Sequence, residues 1–176
     1  MVFAVSWARR LRRVLANTIG LGDPSERLIR DICRMQKSRD RGHRYRAIVM
    51  NRLIYRRYKC CVAVGAKVAE DVLFPHPVGI VIGEGAEIEG GCVIYQGVTL
   101  GRPEKDVADY PKVGKNCVIY ANATLVGNIS LAPHTVVGAN AVVTRGSNLA
   151  GDVLVGVPAR SLKHSPPEQP AEKEIN

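Results

Sequence analysis

The stretch Ile82–Thr99 decides the fold, because it divides into three hexads that begin alike: IGEGAE, IEGGCV and IYQGVT. The same period extends back to Val62 and forward to Arg160, so that fifteen hexads begin with a large aliphatic residue or, once, with Phe. Two irregularities reset its phase: the dipeptide Ile80-Val81 and the twelve residues 101–112. A period of six fits neither an α-helix nor a long strand, since those repeat every 3.6 and 2 residues.

Each hexad predicts a short flat strand followed by a sharp corner. The first position is large and aliphatic and the fifth is usually small, as at Ala66, Cys92 and Ala141, so both are predicted to face inward. Three such units close a triangular turn, and turns stack at the strand spacing of about 4.8 Å. Fifteen hexads therefore predict about five turns of a β-solenoid. A right-handed solenoid and a chance run of short sandwich strands are the alternatives.

The composition agrees with one domain and a short appendage. The chain has 176 residues, of which 46% are hydrophobic but only 5% aromatic, so the core must consist of Val, Ile, Leu and Ala. There is no run of about 18 apolar residues to span a membrane. The composition also excludes a collagen, a disulfide-rich scaffold and a fully disordered chain. The five cysteines lack metal-site spacing and predict reduced thiols in a cytoplasmic protein.

The charge is concentrated at the N-terminus. Residues 1–59 hold 16 Lys/Arg and 4 Asp/Glu, a net of +12, whereas residues 60–176 hold 9 and 12, a net of −3. We predict a basic helical cap over 1–59, a β-helix domain over 60–163 and a disordered tail over 164–176. The cap is predicted to be helical at Ser6–Leu15, from Glu26 onward with Leu28, Ile29, Ile32, Cys33 and Met35, and at Tyr45–Tyr58 with Ile48, Leu53 and Ile54.

The basic segment allows more than one interpretation. A solvated cap that packs in an oligomer is one, and peripheral contact with anionic lipid at the inner membrane face is the other. The aromatic residues follow no nucleic-acid recognition pattern, so no nucleic acid is expected. A secretory signal is not expected either, because the first charges follow the apolar stretch instead of preceding it.

His76 lies in the first irregularity, within the hexad FPHPVG (Phe74–Gly79), and the loop 101–112 leaves after the three hexads that begin at Ile82. Irregularities on a rigid scaffold are where sites are commonly found. On a three-sided coil the loop is a plausible neighbour of His76, in the same chain or across a subunit seam. The alternative is that His76 only fills a corner between two prolines.

The segment His76–Gly101, HPVGIVIGEGAEIEGGCVIYQGVTLG, resembles the serine acetyltransferase branch of the hexapeptide-repeat acyltransferases. The resemblance covers roughly Val62–Lys163 and includes the terminal GVPAR of residues 156–160. It implies a left-handed parallel β-helix, a homotrimer, acetyl-CoA as co-substrate and His76 as general base. An alcohol attacks a thioester at neutral pH only if its proton is removed as the C–O bond forms, and a neutral imidazole suits that task. No metal is expected, since His76 and His134 cannot form a three-histidine site.

The chain departs from the serine branch in the loop. Where that branch grips serine with Arg-His-Pro-Lys, this chain has Asp-Tyr-Pro-Lys at 109–112. A carboxylate at Asp109 would repel that of serine, and no Arg–carboxylate fork can form. Two residues that are Asp in the branch, one of them orienting the base, correspond to Cys61 and Pro75.

With its short basic N-terminus and Asp-Tyr-Pro loop, the chain looks more like the acetyltransferases of capsular and exopolysaccharide clusters. We therefore predict that the acceptor is a saccharide or polysaccharide precursor. Asp109, Tyr110 and Gln96 are predicted to bind it, with Tyr110 stacking on a sugar ring. Two alternatives stay open: L-serine as acceptor, in cysteine biosynthesis, and a non-catalytic solenoid scaffold.

The resemblance also places acetyl-CoA along a seam between adjacent coils. The pantetheine arm is expected near small residues that permit close approach, and the phosphates near cations at the last coil. The predicted residues are Gly101, Ala121 and Ala139 for the arm, and Arg160 and Lys163 for the phosphates.

Overall fold

The structure is a computed structural model that describes residues 23–104 and 109–162. Two helices, α1 (Pro24–Asp40) and α2 (Arg44–Tyr58), precede fourteen short strands in these residues. The predicted helix at Ser6–Leu15, the predicted tail and Lys163 lie outside them. We keep the predicted division of the chain at residues 59 and 163 as a proposal.

The strands form three sheets, and the chain visits sheets A, B and C in turn, completing one coil per round. Every strand pair is parallel except that of the last two strands. Sheet A contains β1 (Cys61–Val62), β3 (Val81–Ile82), β6 (Thr99–Gly101), β9 (Thr124–Val126) and β12 (Val142–Val143). Sheet B contains β2 (Lys67–Val68), β4 (Glu87–Ile88), β7 (Lys112–Val113) and β10 (Ser130–Leu131). Sheet C contains β5 (Val93–Ile94), β8 (Val118–Ile119), β11 (Val136–Val137), β13 (Val153–Val155) and β14 (Arg160–Ser161). Single bridges at Leu73 and Ser147 complete the first and last coils.

The core is the column of side chains inside these coils. Thirteen of the fifteen residues that begin a predicted hexad are buried, and most fifth positions are buried beside them. In the two-residue strands that pair in parallel, the second residue points inward and the first outward, as the alternation of side chains along a strand requires. The hexad rule therefore identified the core, and the predicted five coils are present.

The predicted phase of the six-residue repeat is wrong in two places. Ile80 is fully buried, whereas Val78 is 52% exposed, so the two extra residues belong to a bulge at 75–79 and not to Ile80-Val81. In the last coil, Leu149 is 39% exposed and Leu154 takes the inward place predicted for Val155.

The second error has a local cause at Asp152, which is buried in the turn before β13. Its carboxylate accepts hydrogen bonds from the hydroxyls of Ser147 and Ser161 and from the backbone N–H of Val153. A buried carboxylate needs such partners, and satisfying them sets the phase of the last coil.

Helix α1 follows its predicted pattern. The Asp23 side chain accepts the Ser25 N–H at 3.0 Å as the N-cap, Pro24 occupies the first turn, and Leu28, Ile32 and Met35 are buried. In α2, Ile54 is buried as predicted, but Ile48 and Leu53 are exposed. Ala47 and Tyr58 are buried instead, because the face that meets α1 and the first coil is rotated relative to the prediction.

Helix α1 covers the open end of the solenoid. Gln36 donates from Nε2 to the Val68 carbonyl at 2.9 Å, and its Oε1 accepts the Val68 N–H at 2.8 Å. Arg39 donates to the carbonyls of Val64 and Ala66 at 2.8 and 2.9 Å. The first coil has no coil below it, so these side chains satisfy backbone groups that would otherwise form an open edge.

The outer faces of the three sheets differ in charge. Sheet B carries Lys67, Glu87 and Lys112 outward, and Lys67 Nζ lies 2.9 Å from Glu87 Oε1, which lowers the pKa of Glu87. The antiparallel strand β14 of sheet C carries the exposed Arg160, but sheet A and the parallel part of sheet C present uncharged residues. These residues are Cys61, Val81, Thr99, Thr124 and Val142 on sheet A, and Leu73, Val93, Val118, Val136 and Val153 on sheet C.

Candidate functional site

His76 is exposed on the bulge at 75–79, which leaves the solenoid between sheets C and A. The bulge is pinned at both ends: the Phe74 N–H donates to Ser25 Oγ at 2.9 Å, and the Gly97 N–H donates to the Val78 carbonyl at 3.0 Å. Inside it, the Val78 N–H donates to the His76 carbonyl at 2.8 Å. Gly79 turns the chain back with φ +68°, a conformation that an L side chain rarely adopts. The imidazole therefore sits on a rigid projection.

Four predicted site residues lie on the same edge. We call this edge the C–A corner; it comprises residues 74–80, 95–98, 120–123 and 138–141, one segment above another. His76 lies on the first segment, Gln96 on the second, Ala121 on the third and Ala139 on the fourth. The pairing of β5, β8 and β11 sets these levels about 4.8 Å apart.

Gln96 has an unsatisfied polar group at this corner. Its Oε1 is buried, and no hydrogen-bond donor among the described residues reaches it. Its backbone carbonyl accepts the Asn122 N–H at 2.9 Å, so among the described residues it is Oε1 that has no partner. A buried acceptor without a donor is costly, and a ligand hydroxyl or amide would satisfy it.

Tyr95 lies next to His76 and Tyr120 stacks on Tyr95, and neither tyrosine is among the predicted site residues. The Tyr95 ring is 6.3 Å from that of His76, centroid to centroid, and tilted by 52°. Tyr95 and Tyr120 stack with centroids 5.2 Å apart at 20°. A signal existed in the sequence: the hexads IYQGVT and IYANAT begin identically and are one coil apart once the loop is removed.

The loop lies on the other edge of sheet A. Gly101 and Asp109 belong to the corner between sheets A and B, whereas His76 belongs to the C–A corner. Within one chain the width of sheet A therefore separates the predicted acceptor loop from the predicted base. The structure brings Gln96, but not Asp109 or Tyr110, to the corner of His76.

Tyr110 is packed against its own chain. A Cβ at Gly83 would lie 2.4 Å from Tyr110 Cε1, and one at Gly85 would lie 2.6 Å from Cδ2, so only glycines leave room for the ring. The Arg102 guanidinium lies over the ring at 5.7 Å. The ring anchors the loop to the solenoid. Stacking on a sugar stays a prediction, and this packing weighs against it.

The predicted phosphate-binding end of the site is described only in part. Arg160 is exposed on β14, beside the last coil, and its guanidinium donates to the Ala159 carbonyl at 3.0 Å. The Ala159 N–H donates to the Val142 carbonyl at 2.8 Å, which holds this terminal segment beside the C–A corner.

The other reactive groups are elsewhere. All five cysteines are free, burial raises the pKa of Cys60, and a hydrogen bond with Cys117 together with burial raises that of Cys92. His134 is exposed on the corner between sheets B and C, away from His76. Within residues 23–104 and 109–162, no group of three His, Cys, Asp or Glu side chains is placed to hold a metal ion.

The repeat defines the class of protein. A family model described as bacterial transferase hexapeptide (six repeats) matches residues 110–145. A solved serine acetyltransferase in complex with CoA superposes with a TM-score of 0.72 at 30% identity, covering 77% of this chain and 55% of that one. The serine acetyltransferase of Neisseria gonorrhoeae superposes equally well, at 27% identity and 54% coverage of its chain. The predicted left-handed β-helix with a helical N-terminal segment is therefore confirmed.

The chain is also similar in sequence to curated serine acetyltransferases. The serine acetyltransferase of Haemophilus influenzae is 38% identical over 107 residues, 60% of this chain and 40% of the relative. That of Synechococcus elongatus is 37% identical over 103 residues, 57% of this chain and 41% of the relative. The chain thus spans less than half the length of either relative. The predicted resemblance to the serine acetyltransferase branch of the hexapeptide-repeat acetyltransferases is confirmed.

Proposed function

We propose that the chain transfers an acetyl group from acetyl-CoA to a hydroxyl, with His76 as general base. The observation that carries the proposal is the C–A corner, where an exposed imidazole on a pinned bulge stands below Gln96, Ala121 and Ala139. A neutral imidazole takes the proton of the acceptor hydroxyl as its oxygen attacks the thioester carbonyl, and CoA leaves as the thiol. A CoA complex is known for a similar structure.

The small residues of the corner fit a thioester arm. Ala121 beside Tyr120 and Ala139 on the next coil present little side chain, and the Gln96 Oε1 offers an acceptor to an amide or hydroxyl. The predicted roles of Gly101, Arg160 and Lys163 toward acetyl-CoA stay proposals. Arg160 has the exposure that a phosphate contact needs.

We further propose a homotrimer whose subunits share the site. Both edges of sheet A carry predicted site residues, His76 on one and Asp109 on the other, and the face between them is uncharged. If three sheet A faces surround a threefold axis, the C–A corner of one chain meets the loop of the next. That packing brings Asp109 to the base, which folding of one chain does not.

Two acceptors are candidates, L-serine and a saccharide. L-Serine is favoured by the comparisons, because the relatives are serine acetyltransferases; the saccharide prediction has no support from them. A saccharide is favoured by one observation, the carboxylate of Asp109 in the loop where the serine branch is expected to present arginine. A carboxylate accepts hydrogen bonds from sugar hydroxyls but repels the carboxylate of an amino acid.

A screen of acceptors tests the function. We expect release of the CoA thiol from acetyl-CoA to accelerate with one acceptor class, L-serine or sugars bearing free hydroxyls. Replacement Asp109→Asn, which keeps the shape but removes the charge, should weaken a sugar acceptor and improve serine. Acceleration by neither class, at concentrations up to tens of millimolar, would contradict the proposed transfer and favour the scaffold alternative.

Peripheral contact with anionic lipid is proposed for the cap of an otherwise cytoplasmic protein. Helix α2 contains five Arg and no acidic residue, and one face exposes Tyr45 (87%), Val49 and Tyr55 (both 56%) beside Arg52 and Arg56. An aromatic, aliphatic and cationic face suits the interface of an anionic bilayer. No helix among the described residues is long and apolar enough to cross a membrane.

We expect the protein to sediment with phosphatidylglycerol-containing vesicles but not with pure phosphatidylcholine vesicles, and to be released by salt. The double charge reversal Arg52→Glu/Arg56→Glu should abolish binding. The control is Arg145→Glu, which reverses an exposed charge in the last coil and should reduce vesicle binding far less. Equal binding to both vesicles would contradict the contact, and a change in assembly mass in the double variant would assign this face to a subunit interface instead.

A further inference from the structure

Within residues 23–104 and 109–162, the His76 side chain has no polar partner to hold it. Among the described residues, no hydrogen bond or ion pair reaches the imidazole, although its backbone is fixed within the bulge. The positions that are Asp in the serine branch are filled by Cys61 and Pro75. A base must nevertheless be held near its productive geometry, because small displacements from it are costly in rate.

The ring of Tyr95 is the aromatic side chain that contacts His76. The two rings are tilted by 52°, and their centroid distance of 6.3 Å is within the range of aromatic contacts. Tyr95 is in turn stacked on Tyr120 at 5.2 Å, and the register of β5 with β8, Ile94 opposite Ile119, fixes one tyrosine above the other. The three rings form a column on the edge of the solenoid, with His76 at its lower end.

We propose that Tyr95, backed by Tyr120, is the positioning residue of His76. An imidazole on an exposed bulge has several rotamers available, and a ring fixed on the next coil favours the one that meets it. The tyrosine column does for this base, by ring contact, what a carboxylate does by hydrogen bonding. This inference rests on the proposed function, since it assigns no role unless His76 is the base.

The test compares Tyr95→Leu, which removes the ring, with Tyr95→Phe, which removes only the hydroxyl. We expect kcat to fall roughly threefold to tenfold in Tyr95→Leu, the loss that an aromatic contact of ordinary strength implies. KM for acetyl-CoA and for the acceptor should change less than about twofold, because positioning acts on the chemical step. Tyr95→Phe should restore kcat, and Tyr120→Ala should fall between the two.

Two results would overturn the inference. A wild-type kcat in Tyr95→Leu would show that the ring does not position the base. A kcat in Tyr95→Phe as low as in Tyr95→Leu would show that the hydroxyl, not the ring, is required. If Tyr95→Leu and Tyr95→Phe unfold at the same temperature as the wild type, a loss of kcat in either variant does not come from a loss of folded protein. An active His76→Ala protein would instead reject the proposed function itself, so the two failures are distinguishable.

Discussion

Replacing His76 with alanine is expected to lower kcat about 10²–10⁴-fold, the contribution of general-base catalysis. The side chain is exposed and the bulge is held by backbone hydrogen bonds, so the fold should be retained. Steady-state release of the CoA thiol measures the loss, and circular dichroism checks the fold. His134→Ala is the matched control: it removes an exposed imidazole from another corner and should leave kcat unchanged. Similar losses in both variants would contradict a specific role for His76.

The same variant tests whether subunits share the site. With a sugar acceptor, for which the Asp109 carboxylate is proposed to matter, chains carrying His76→Ala and chains carrying Asp109→Ala should recover activity when they are unfolded together and reassembled, because some seams then combine an intact base with an intact loop. In a random equal mixture, about a quarter of the seams combine an intact His76 with an intact Asp109. At acceptor concentrations below KM, we therefore expect the mixture to recover about a quarter of the wild-type activity. No recovery, with each parent correctly assembled, would contradict a site shared between subunits.

Leu100→Ala is expected to lower the free energy of unfolding by about 2–5 kcal/mol, because Leu100 is fully buried between sheets and alanine leaves a cavity. Leu149→Ala removes the same atoms from a side chain that is 39% exposed and should cost far less, within about 1 kcal/mol. The repeat predicts the same inward position for both leucines. Urea unfolding at one fixed protein concentration compares them. Equal losses would mean that the last coil keeps the regular phase.

The two helices show how far apolar spacing predicts the buried face of a helix. In α1 the apolar spacing identified the buried Leu28, Ile32 and Met35, since one apolar face was available. In α2 apolar residues occur on two faces, and only packing against α1 and the first coil decided that Ala47, not Ile48, is buried. Propensity and periodicity determine that a helix forms, whereas the neighbour it meets selects the buried face.

The site was predictable to a similar degree. His76 is marked by the interruption of the repeat, and Gln96, which was also predicted, lies one coil further along the same corner. The tyrosine column was missed because an aromatic residue on one strand acquires its role from the residue on the next coil. The anchoring of Tyr110 on Gly83 and Gly85 depends likewise on a contact across 25 or more residues.

The sequence by itself determined the inward column and hence the solenoid, because the side-chain direction at each hexad position follows from local backbone geometry. Tertiary structure decided where the two extra residues bulge, since Val78 and Ile80 are both apolar and only the fit against the next coil selects Ile80. It also decided which corners lie above one another, and so which residues accompany His76. Those choices depend on register between coils, which hydrogen bonds between distant strands set and no local pattern encodes.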